Sequence, residues 1–93
     1  MVHGRLTLGN GTPGFRIWPV GTKRMLGVLD GNGEDETDNV IPSKVRKLAF
    51  APGGLEIPVF GDYEVCPLTT ERQGWMQMVC IKSASNLLRA TSN

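Results

Sequence analysis

VHGRLTLGNGTPGFRIWPVGTKRMLGV, residues 2–28, decides the fold, because it reads as three short strands joined by two tight turns. Val2–Leu8 reads as the first strand. Asn10-Gly11 is a two-residue hairpin signal, since both residue types tolerate positive φ. That turn pairs Leu6 with Phe15, Gly4 with Ile17, Arg5 with Arg16 and His3 with Trp18. Gly21-Thr22 suits a type II′ turn with glycine first, and it pairs Ile17 with Leu26, Phe15 with Val28, Trp18 with Met25 and Arg16 with Gly27. The two registers come from turn chemistry alone, yet they agree. Leu6, Phe15, Ile17, Leu26 and Val28 share one face, while Arg5, Arg16, Trp18 and Met25 share the other. A slip of one residue in either hairpin breaks that separation. Pro19 cannot donate to a ladder and belongs near a strand end.

Outward from this stretch, the acidic run 30–38 (DGNGEDETD) is followed by Lys44, Arg46 and Lys47. Residues 41–50 fit a short helix with Pro42 near its first turn and Val45, Leu48 and Ala49 on one face; a strand is the competing reading. Pro52-Gly53-Gly54 breaks the chain, and 57–68 and 75–83 read as two further strands. Cys66 and Cys80 are the only cysteines, and a hairpin centred on Gln73 sets them opposite each other. The same register pairs Glu64 with Lys82, Leu68 with Met78, and Val65 with Ile81. A bridge there closes a loop of about 15 residues and stabilises the fold by roughly 3 kcal/mol, which implies an oxidising compartment. The alternative is a pair of free thiols packed as small apolar groups.

Ninety-three residues make one domain, 1–93, with a modest core. Twelve glycines and six prolines in so short a chain favour turns and strands over helices. The element order is therefore β-β-β-α-β-β, that of an all-β protein with one short helix, and specifically of a five-stranded OB-like Greek-key barrel. A plain meander or sandwich has the same strands. No stretch is long and apolar enough to insert in a membrane, and Met1-Val2-His3 lacks a signal peptide's apolar region. A strand opening this close to Met1 fits a leader having been removed there.

Three phrases, 2–28, FGDYEVCPLT at 60–69 and MQMVCIKSASNL at 76–87, cover most of the chain outside 29–59. Through them the chain resembles a group of small, uncharacterised, exported bacterial proteins. The resemblance implies export and an OB-like barrel, and it carries no activity and no binding residue.

The residues up to 29 hold Arg5, Arg16, Lys23, Arg24 and His3 and no acid. Arg5, Arg16 and Trp18, with His3 and Met25 beside them, make a candidate ligand face, because cations next to an exposed ring hold anionic or ring-bearing ligands. The bland alternative is a solvated sheet face with arginine stems over Trp18, or Trp18 packed under the C-terminal segment. Lys23 and Arg24, at the hairpin tip, read as solubilising charges. Asp30, Asn32, Glu34, Glu36 and Asp38 alternate oxygen ligands, but the EF-hand spacing fails: Asp35 stands where glycine belongs and Ile41 where glutamate belongs. No metal is expected.

Catalysis is not expected either. His3 is the only histidine, the two cysteines make neither a zinc site nor a CxxC motif, and the glycine-rich turns lack phosphate-loop spacing. Asp62 and Glu64 alternate on one strand, with Lys82 set to neutralise Glu64. The remaining feature is an apolar stripe, Leu68, Met76 and Met78, suited to a protein partner unless the helix or the 84–93 tail covers it. The expectation is a non-enzymatic binding or accessory module, periplasmic or secreted with a cytoplasmic alternative. It needs no cofactor and holds an anionic polymer or oligosaccharide on the outer face of strands 1–3. Nucleic acid is the weaker ligand because the net charge is only +1, and the second reading is a structural or protein-interaction role through the apolar stripe.

Overall fold

The computed structural model describes residues 1–9, 11–35, 37, 39–51 and 55–90. Along the chain come β1 (Val2–Leu8), β2 (Phe15–Pro19), β3 (Leu26–Val28), α1 (Ser43–Ala49), β4 (Phe50–Ala51), β5 (Leu55–Glu56), β6 (Val59–Pro67) and β7 (Gln77–Arg89). Five of these strands close into a barrel in the order β1-β2-β3-β7-β6, while β4 and β5 form a separate two-stranded ladder. Only the β3–β7 pairing is parallel. The structure is thus β-rich with one short helix between the third barrel strand and the last two, the order expected of an OB-like barrel. Closure through β3–β7 and β1–β6 removes the meander and sandwich alternatives.

Side-chain alternation puts one set of residues inside. Leu6, Phe15, Ile17, Leu26, Val28, Tyr63, Val79 and Ala84 are buried together, and Val40, Ile41 and Val45 join them from the segment containing α1. The helix forms where the helical reading placed it. Val45 and Ala49 are buried, Leu48 is half-buried, and Pro42 stands at the N-cap, where a missing N–H removes no intrahelical bond. Its other end is satisfied from the barrel: Arg89 donates Nε to the Leu48 carbonyl at 2.9 Å and Nη2 to the Lys47 carbonyl at 3.1 Å.

The registers divide into those turn chemistry set correctly and those it did not. β2–β3 pairs Arg16 with Gly27 and Ile17 with Leu26, as expected. The reversal itself differs, with Thr22 donating its N–H to the Pro19 carbonyl at 3.2 Å and Gly21 at φ 84° in the third position, the type II pattern. β1–β2 is shifted by two residues: Leu6 lies opposite Ile17, Arg5 opposite Trp18, Thr7 opposite Arg16 and Leu8 opposite Phe15. The cause is a longer connection. Gly9 donates to the Gly14 carbonyl at 3.0 Å, so this pair closes the reversal; the expected turn at Asn10-Gly11 includes Asn10, which lies outside the described residues. An even shift returns every side chain to its expected face, which is why the core survives the error.

β6–β7 sets Cys66 against Cys80 and Val65 against Ile81, and the two cysteines are joined in a disulfide with Cα atoms 5.1 Å apart. Beyond Val65 a bulge intervenes, and Glu64 faces Ser83, so the expected Glu64–Lys82 pair does not form. Ser83 Oγ donates to Glu64 Oε1 at 3.0 Å instead. β7 also runs on to Arg89, six residues past the expected end, so residues 84–89 are barrel wall and do not fold over the last hairpin.

Candidate functional site

Outward side chains of β2, β1, β6 and β7 form a row across four strands, Trp18–Arg5–Phe60–Leu88, each opposite the next in register. Arg5 lies with Cζ 5.3 Å from the centre of the Trp18 ring. Its Nε is buried and, among the described residues, has no hydrogen-bond partner. Trp18 is half-buried, neither under the barrel wall nor free, and its Nε1 donates to the Thr22 carbonyl at 2.7 Å. Leu88 is 67% exposed at the end of the row. A guanidinium with an unspent donor, flanked by aromatic residues, is suited to a carboxylate, sulfate or phosphate carried on a ring or chain.

The other expected members lie outside this row. Arg16 sits opposite Thr7, and its Nε donates to the Pro13 carbonyl at 3.2 Å, drawn to the 9–14 connection that folds over β3. The Arg5–Arg16 opposition is therefore absent. His3 does not meet Trp18. It faces Asp62 on β6, donating Nδ1 to Oδ1 at 2.8 Å, while Asn86 Nδ2 donates to Oδ2 at 2.8 Å. The Asn86 amide first, and the His3 ring second, hold the Asp62 carboxyl below the usual carboxylate range. Met25 is exposed and lines a groove on another flank of the barrel.

That groove, about 660 Å³, runs between the β2–β3 turn and the β6–β7 loop and is lined by Arg24, Met25, Glu71, Arg72, Trp75 and Gln77 among others. Trp75 is 71% exposed. It stands on a turn closed by its own N–H donating to the Arg72 carbonyl at 3.1 Å, with Gly74 at φ 81°, a conformation that glycine adopts freely. Arg72 Cζ lies 5.5 Å from the Trp75 ring centre. Arg24, read from sequence as a solubilising charge, is anchored: Nη2 donates to Gln77 Oε1 at 2.9 Å, and Nε lies 3.5 Å from Glu71 Oε1. Sequence reasoning missed this grouping because Arg24 and Gln77 meet only when β3 pairs in parallel with β7. The local signal was the Gly74-Trp75 pair, a turn glycine presenting an indole.

Asp30 organises the described part of the acidic connection. Asp30 is buried; Oδ1 accepts the N–H groups of Asn32 and Glu34 at 2.9 Å each, and Oδ2 accepts Thr37 Oγ1 at 2.7 Å. These bonds, the Glu34 N–H foremost and Thr37 next, lower its pKa. Glu36 and Asp38 lie outside the described residues. Among the described residues no group of three His, Cys, Asp or Glu side chains converges as a metal site, and no helix is long and apolar enough to cross a membrane.

The apolar stripe is partly folded onto the barrel. Met76 and Met78 are half-buried, and a Cβ added at Gly27 would meet Met78 Sδ at 2.5 Å, Pro13 Cγ at 2.8 Å and Met76 Sδ at 3.4 Å. Leu68 alone of the three stays exposed, at 36%. No family model, curated protein or solved structure matches the chain.

Proposed function

We propose that this chain is a small, exported, non-enzymatic binding module of the OB-fold kind, and that it holds an anionic ligand, an anionic polymer or acidic oligosaccharide, on the outer face of β1, β2 and β6. The observation that carries this is Arg5, a guanidinium with a buried, unpartnered Nε placed between Trp18 and Phe60. Such a donor costs stability in the free protein. Arg16 and His3, placed by sequence in the same patch, lie beside this row with their side chains bonded to Pro13 and Asp62, and Met25 lines the groove. Export is supported by the Cys66–Cys80 bridge, because disulfides persist in oxidising compartments. Nucleic acid is the weaker ligand, since the net charge is +1 and the row offers a single cation. The protein-partner reading rests on Leu68 and Leu88, exposed apolar residues on separate parts of the barrel.

The test is retention on immobilised heparin at low salt. Arg5→Met and Trp18→Ala should each elute markedly earlier than the wild type while remaining folded. Equal retention of Arg5→Met and wild type would sink the proposal. Arg5→Met should also be stabilised by up to about 1 kcal/mol, read as a melting temperature at or above that of the wild type, because it removes an unsatisfied donor and keeps an apolar stem over Trp18.

A further inference from the structure

The groove between the β2–β3 turn and the β6–β7 loop is separate from the Arg5 row, and we infer that it is a second binding site, for a neutral saccharide, in which one pyranose ring stacks on Trp75 while Arg24, Glu71 and Gln77 hydrogen-bond its hydroxyls. A 71%-exposed indole contributes little to the core of this domain. Yet its backbone is set by the Trp75 N–H bond to the Arg72 carbonyl and by Gly74 in the turn, and the Arg72 guanidinium lies against the ring. A ring held in place before the ligand arrives loses little freedom on binding.

The polar groups beside it are also set in advance. Arg24 is tied to Gln77 Oε1 and paired with Glu71, and Gln77 Nε2 donates to the Thr69 carbonyl at 3.0 Å. The base of the loop is clamped by the disulfide, by Leu68 N–H to the Met78 carbonyl at 2.9 Å and by Met78 N–H to Thr69 Oγ1 at 2.9 Å. Planar side chains around an aromatic platform, Arg24 as donor, Glu71 as acceptor and Gln77 as both, match the alternating hydroxyls and apolar face of a pyranose. The volume, about 660 Å³, lies in the range of small-ligand sites.

The same features disfavour a peptide occupant. An extended peptide adds to a free strand edge, and the closed barrel offers none beside the groove. Lys23, Arg24 and Arg72 outnumber Glu71 in the lining, so an acidic saccharide is the competing occupant that the experiment separates.

The experiment uses the full oxidised chain, titrated by calorimetry with chitohexaose, cellohexaose and mannohexaose, and with a galacturonate hexamer as the anionic comparison. Indole N–H signals are followed by NMR. At least one neutral oligomer should bind and move the Trp75 indole signal. Trp75→Ala should weaken that binding about tenfold or more, Trp75→Phe should fall between, and Lys44→Gln on α1 should leave it unchanged. The inference is overturned if no neutral oligomer binds, if only the galacturonate does, or if binding survives both Trp75 variants. Because Trp75 is exposed, the Phe variant keeps the test valid should the Ala variant misfold.

Discussion

Tyr63 is the only tyrosine in the chain, and it is fully buried, with its hydroxyl donating to the Val59 carbonyl at 2.7 Å. Burial pushes its phenol from the ordinary 10.0 up to about 12. The neutral form is the one the fold accommodates, so this contribution to stability is complete below pH 10 and is lost as pH rises through 12. Ultraviolet titration should therefore show no phenolate at pH 10.5 in folded protein, and phenolate appearing together with unfolding at higher pH; a reversible titration near 10 with the fold intact would contradict the burial. Asp30 and Asp62 run the opposite way, with carboxyls held below the ordinary range, so their contributions are present at neutral pH and drain as acid protonates them. At this scale the sequence was partly readable. Trp18 and Arg5 face outward together because alternation puts them there. The partners of His3 and Arg16 were not readable, since Asp62 comes from a strand distant in sequence and Pro13 from a connection whose path no turn rule supplies.

Among elements, the last hairpin carries the most specific expectation. Reducing the Cys66–Cys80 bridge, or replacing both residues by serine, should destabilise the barrel by about 3 kcal/mol, read as a lower denaturation midpoint with unchanged cooperativity. A second expectation concerns β1 and β2. A Cβ at Gly4 would lie 2.6 Å from Ile17 Cγ2 and 2.8 Å from the Trp18 carbonyl oxygen, so Gly4→Ala should cost about 1–3 kcal/mol in the same measurement. Turn chemistry set the β2–β3 register, and the paired cysteines set the start of β6–β7. It failed where the chain inserts residues: at the 9–14 connection, and at the bulges that place Ser83 opposite Glu64 and put Asn86 at φ 53°. Bulges answer to the curvature of a closed wall, which no local pattern encodes.

For the whole molecule, closure depends on β7, whose thirteen residues serve both neighbours. It pairs with β6 along most of its length and with β3 only over Gln77–Val79. Amide exchange should follow this division. The two-residue β4–β5 ladder should exchange first, and the paired amides of β6 and β7 near Tyr63 and Ala84 last, close to the global unfolding limit. Slow exchange in β4–β5 matching that of β6 would show the ladder to be part of the barrel's cooperative unit. The strand set and the helix were legible because they are local. The parallel closure, and with it the Trp75 groove, was not, because it joins residues fifty positions apart.

β3 is held in the wall by its two shortest seams, two pairs to β2 and three to β7, against eight pairs and a covalent tie between β6 and β7. Transient breathing of the barrel begins at such seams. Arg24 and Met25 lead into one side of the β3–β7 clasp and Gln77 opens the other, so cargo bridging them would hold the clasp shut. An occupied molecule would then resist proteolysis for longer than an empty one, out of proportion to any change in its shape.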